Sequence, residues 1–79
     1  MALALEYTVE PFVQGAPGPH VRAALEAATS SGLDVDFGPF GTSVIGPDGE
    51  VLATLEAVVR RAFEAGATRV SAQLKRPGQ

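Results

Sequence analysis

The stretch Ser31-Gly32-Leu33-Asp34-Val35-Asp36-Phe37-Gly38-Pro39-Phe40-Gly41-Thr42-Ser43-Val44-Ile45-Gly46 constrains this chain more than any other. It reads as a helix stop, a short alternating strand, a Gly-Pro turn and a second strand. An amphipathic helical pattern lies on each side of it, and one further strand pattern lies outside each helix. The order is β-α-β-β-α-β, the split β-α-β signature. It predicts an α+β, ferredoxin-like domain with a four-stranded antiparallel sheet and both helices on one face, strand order 4-1-3-2.

The elements follow from periodicity. Leu3, Leu5, Tyr7 and Val9 alternate with Ala4, Glu6, Thr8 and Glu10, the mark of a half-buried strand that Pro11 ends. A Gly/Pro-rich loop over 14–19 leads into helix one, with Pro19 in its first turn. Val21, Ala24, Leu25 and Ala28 form its apolar stripe, and Gly32 suits a left-handed stop. Leu33, Val35 and Phe37 alternate with Asp34 and Asp36 in strand two. Strand three covers about residues 40–46, with the parity of its faces open because Gly38 or Gly41 could host a bulge. Gly46-Pro47-Asp48-Gly49 reads as a turn, with Asp48 capping helix two over about residues 50–65. Val51, Leu55, Val58 and Ala62, with Leu52, Val59 and Phe63, are expected to make its broad buried face. Glu56–Arg60 and Arg60–Glu64 have ion-pair spacing on the wet face. Val70, Ala72 and Leu74 alternate with Ser71, Gln73 and Lys75 in strand four, and residues 76–79 are expected to fray.

Seventy-nine residues make one domain, 1–79, with a thin core. Without disulfides or metal, so small a domain often gains stability by oligomerising. The absence of Cys excludes disulfides and thiolate metal sites and suits a reducing cytoplasm. A net charge of −3 weighs against nucleic acid as a partner. Glu56, Arg60, Arg61 and Glu64 interrupt the apolar run from Val51 to Ala67, so no membrane span is expected. The N-terminus lacks a basic region and does not read as a signal peptide. No phosphate-binding glycine loop or nucleophile triad is present. His20, the single histidine, builds no metal site alone and reads as an exposed first-turn residue. These patterns stop at a small α+β domain with one polar sheet face and name no ligand.

Several segments, in order, carry a resemblance: Tyr7-Thr8-Val9-Glu10-Pro11-Phe12, Ser31-Gly32-Leu33, Gly38-Pro39-Phe40-Gly41-Thr42 and Gly66-Ala67-Thr68-Arg69-Val70. In this ordered set the chain resembles the YkoF-like thiamine-binding protein family, from Tyr7 to about Lys75. The chain departs from the family pattern at Ile45, where many members carry an acid. The resemblance implies a small ferredoxin-like domain that binds thiamine or its hydroxymethylpyrimidine moiety without catalysis, as a cytoplasmic homo-oligomer, a tetramer by preference. No cofactor beyond that ligand is implied.

A thiamine-like ligand needs acceptors for its amino group, a flat apolar surface for its ring, and an acid or aromatic face near its cation. Thr8, Glu10, Asp36, Phe40, Thr42 and Ser43 supply these types. Strands one and three are expected neighbours, so Thr8, Glu10, Thr42 and Ser43 are expected to converge. Each has a structural alternative: Thr42 as a strand starter, Phe40 as a plug in a core or interface, Glu10 as a solvated strand end. Two other functions fit the same fold. One is a structural or regulatory assembly module with another ligand or none, which Ile45 favours. The other is a small isomerase-type enzyme, disfavoured because no acid-base pair surrounds His20.

Overall fold

Alternation along the first strand pattern puts its apolar residues at the centre of the molecule. The computed structural model describes residues 1–11, 18–38 and 41–78. Its elements are β1 (Ala2–Glu10), α1 (Pro19–Thr29), β2 (Asp34–Gly38), β3 (Gly41–Pro47), α2 (Asp48–Glu64) and β4 (Arg69–Lys75). The antiparallel sheet runs β2-β3-β1-β4, the expected order read from the other edge. The fold is ferredoxin-like, with both helices packed on one sheet face. Leu5, Val44, Val51 and Val58 are fully buried between the layers, each stabilising by about 1.5–3 kcal/mol.

Local chemistry explains why the elements start and stop where they do. Pro19 opens α1, where a missing N–H is no loss. The Ser-Gly-Leu segment ends it: the Ser31 hydroxyl donates to the Ala28 carbonyl and accepts from the Leu33 N–H at 3.1 Å, while Gly32 takes φ +75°. At α2 the structure corrects the expected turn. β3 continues to Pro47, which stands at the N-cap, and Asp48 is the first helical residue, without a side-chain cap bond. Asp48 instead pairs with Arg76, whose guanidinium reaches Asp48 Oδ2 at 2.9 Å and donates to the Ala2 carbonyl at 2.9 Å. Arg76 is therefore tied down rather than frayed. The expected Glu56–Arg60 pair forms at 2.8 Å.

Three further expectations change. His20 is buried, and its Nε2 donates to the Pro11 carbonyl at 2.6 Å, fastening α1 to the end of β1. Gly18 makes room for that ring, since a Cβ there would lie 2.7 Å from His20 Cε1. Leu52 and Phe63 on α2 are half exposed rather than buried, as are Phe37 and Leu74 at the two sheet edges. The expected Gly-Pro turn between β2 and β3 and most of the Gly/Pro-rich loop fall outside the described residues.

Candidate functional site

Strand register decides which polar residues share a face. Thr42 and Val44 lie opposite Tyr7 and Leu5 on the helix side, so Ser43 and Ile45 face the open side opposite Glu6 and Ala4. The open parity of strand three is thereby resolved. Pairing then aligns Asp36, Ser43, Glu6 and Gln73 in one row across all four strands. A second row holds Asp34, Ile45, Ala4 and Lys75. Thr8 faces Ser71, and Glu10 faces Arg69. Strands lie ~4.8 Å apart, so the Asp36 and Glu6 backbones stand ~10 Å apart with Ser43 between them.

Of the residues expected to converge, Thr8, Glu10, Asp36 and Ser43 do share the open face. Thr42 does not. It is buried on the helix side next to Tyr7, because adjacent strand residues point to opposite faces. Phe40 lies outside the described residues. Glu6, Ser71 and Gln73 join the site although the sequence singled them out only as residues of the polar face. The signal that finds them is the β1–β4 register, which periodicity does not contain.

A depression of about 310 Å³ sits on this face, lined by Glu6, Thr8, Gly41, Ser71 and Gln73 with the backbone of Tyr7 and Ala72. That volume is at the low end for ligand pockets. Gly41 keeps it open: a Cβ there would come within 3.1 Å of the Tyr7 carbonyl oxygen and 3.4 Å of Thr8 Cγ2. At its upper end the Glu10 carboxylate lies 3.7 Å from Arg69 Nε, both partly exposed. On this face Glu6, Glu10, Asp34 and Asp36 outnumber Arg69 and Lys75, which favours a cationic or hydrogen-donating guest. Among the described residues no aromatic ring faces this side; Ile45, 43% exposed, is its large apolar surface. The groove between the helices is lined mainly by Ala27, Ala53 and Ala57, with charged side chains at its rim, and converges no polar groups on its floor.

On the other face Tyr7 Oη is buried without a hydrogen-bond partner among the described residues. Burial pushes the phenol above its ordinary pKa, and the Thr42 side chain beside it pulls weakly the other way. Among the described residues no group of acidic and histidine side chains could hold a metal ion, and no helix is long and apolar enough to cross a membrane.

Residues 5–76 match the thiamine-binding protein family, and the chain belongs to that family. No curated protein matches it. Among solved structures, a domain of unknown function from Bacillus cereus superposes with a TM-score of 0.72 at 22% identity, over 99% of this chain and 79% of that one. A hypothetical protein from Methanocaldococcus jannascii gives 0.71 at 22% identity, over 99% and 84%. A protein from Thermotoga maritima provisionally assigned to thiamine biosynthesis or salvage gives 0.58 at 20% identity, over 95% and 81%. At these identities the likenesses speak for the fold.

Proposed function

We propose that this chain binds thiamine or its hydroxymethylpyrimidine moiety on the open sheet face, without catalysis and without a further cofactor, as a cytoplasmic homo-oligomer of tetrameric kind. Family membership supports the thiamine-related ligand. The observation that carries the site is the row Asp36-Ser43-Glu6, two carboxylates flanking a hydroxyl across three strands. An aminopyrimidine donates from its amino group to a carboxylate, and a thiazolium is drawn to a second one. Thr8 and Glu10 extend the acceptor set along β1. Phe40, next to Gly41, is the proposed stacking partner for the pyrimidine ring. Thr42, on the helix side, leaves the proposed set.

Calorimetric titration with thiamine and with hydroxymethylpyrimidine tests this. At ligand a hundredfold above the dissociation constant, stabilisation should reach about 2.7 kcal/mol, a rise in Tm of roughly 10 °C or more. Asp36→Ala and Glu10→Ala should each weaken binding at least ~10-fold, the loss of one charge-assisted contact, and leave the fold intact. No heat and no shift in Tm with either ligand would refute the assignment. A second reading, an assembly module with a different ligand or none, is favoured by Ile45, which puts an exposed apolar side chain on the polar face.

A further inference from the structure

The two sheet edges are finished differently. β2 is five residues long and carries Asp34 and Asp36, charges of the kind that blunt an edge. β4 is seven residues long and pairs without interruption along its whole length with β1, leaving its outer side without a strand partner. Its charges stand only at the ends, Arg69 and Lys75. The centre, Ser71-Ala72-Gln73-Leu74, is uncharged and exposed.

Helix α2 lies above this edge with an apolar flank of its own. Its core line is Val51, Val58 and Ala62. Leu52, Val59 and Phe63 each follow one position later, about 100° round the helix. The opposite flank, with Ala53 and Ala57, is turned to α1. Leu52 and Phe63, 50% and 49% exposed, therefore lie on the β4 side, above Leu74 at 42%.

We propose that β4 pairs with β4 of a second copy about a twofold axis at Ala72, joining two sheets into one of eight strands and laying α2 against α2. Antiparallel self-pairing in this register uses the full length of β4. On the helix side it sets Val70 opposite Leu74 and Ala72 opposite itself; on the open side it sets Ser71 opposite Gln73. The same axis runs the two α2 helices antiparallel, so Leu52 meets Phe63. The one unfavourable match, Arg69 opposite Lys75, is relieved by Glu10 beside Arg69. Shifting by two residues, the smallest slip that keeps the faces, leaves about five paired positions. Seven strand residues at ~3.3 Å each and a sheet-plus-helix depth of ~20 Å give a flat footprint of ~460 Å² per copy. Side-chain relief raises the accessible area buried, so the interface falls at the lower end of stable ones. Head-to-tail pairing of basic β4 with acidic β2 is the competing arrangement, but it does not close on two copies. The proposal rests on the reading that the chain assembles; the ligand's identity does not enter it.

The chain has no cysteine, so Ala72→Cys introduces a single thiol. Cα atoms directly opposite in an antiparallel pair lie ~4.5–5.5 Å apart, within disulfide reach. Under mild oxidation Ala72→Cys should become a covalent dimer, while Thr29→Cys on α1 should not. Leu52→Glu combined with Phe63→Glu should raise the dimer dissociation constant at least ~10-fold in analytical ultracentrifugation, with an unchanged circular dichroism spectrum. A chain that stays monomeric at about 100 µM, with Ala72→Cys unlinked, would overturn the proposal. So would assembly that persists in the double variant without the 72–72 link, or open polymers. Thiamine titrated into wild type separates the two readings. A linked dimer that takes no ligand tells against the ligand alone; a monomer that binds ligand tells against this interface alone.

Discussion

Tyr7 shows how much one atom can matter in a core this thin. Its ring is buried in the cluster with Leu5, Val9 and Val44, while its hydroxyl has no hydrogen-bond partner among the described residues. A buried polar group left unpaired costs about 1–3 kcal/mol. Tyr7→Phe keeps the ring and removes that penalty, so it should stabilise by about 1 kcal/mol and raise Tm by roughly 4–8 °C at neutral pH. The pH dependence has a definite sign. Folding holds the phenolic proton more tightly than the unfolded chain does. Stability from the neutral phenol is complete below pH ~10 and is lost as pH rises towards the higher folded value. The advantage of Tyr7→Phe should therefore widen above pH ~10. Thermal unfolding of both proteins from neutral to strongly alkaline pH measures it; a destabilised Phe variant would mean that the hydroxyl is satisfied in solution. Tyr7 was legible as a core residue from alternation alone. Its unpaired hydroxyl was not, nor was the burial of His20, because each depends on an atom many residues away, the Pro11 carbonyl in the case of His20.

Among elements, the junction of β3 and α2 is the least legible in the sequence. Gly46-Pro47-Asp48-Gly49 has the composition of a turn, yet the chain passes straight from strand to helix. Tertiary contacts outweigh the local preference: the Asp48 N–H donates to the Met1 carbonyl, and its carboxylate takes Arg76 from the end of β4. Arg76 thus clamps the starts of β1 and α2 to the end of β4. The hydrogen bonds from Arg76 hold the Asp48 carboxyl below its usual pKa. Their contribution is present above the ordinary Asp value of about 3.9 and is lost as pH falls through the lower folded value. Asp48→Asn should lower Tm at pH ~7 by an amount on the order of a few degrees, since the pair is partly exposed. That difference should disappear in strong acid. An equal gap at both extremes of a pH series of melting curves would assign the effect to packing instead. The half-exposed flank of α2 is a related case. Leu52 and Phe63 fall within a broad apolar arc, and periodicity does not show where that arc outruns the sheet beneath it.

At the scale of the whole molecule, element order carried strand order, helix placement and the polar character of one face into view before any coordinates. The site was only partly legible, because register between strands distant in sequence decides who meets whom. Asp36, Ser43 and Glu6 come together through two pairings, β2 with β3 and β3 with β1. The same register sends Thr42 to the other side. The face so assembled is acidic, with Glu6, Glu10, Asp34 and Asp36 against Arg69 and Lys75, on a chain of net charge −3. An acidic face ranks related ligands by charge. Cationic thiamine should bind more tightly than neutral hydroxymethylpyrimidine, and a diphosphate ester of thiamine should bind least, because its negative groups meet carboxylates without compensation. The gap between thiamine and the diphosphate should exceed ~10-fold at low ionic strength and shrink as salt screens the face. Competition titrations at two salt concentrations measure the ranking. If the diphosphate binds best, the ligand is held by the basic end of β4, at Arg69 or Lys75, and the Asp36-Ser43-Glu6 row is not its site.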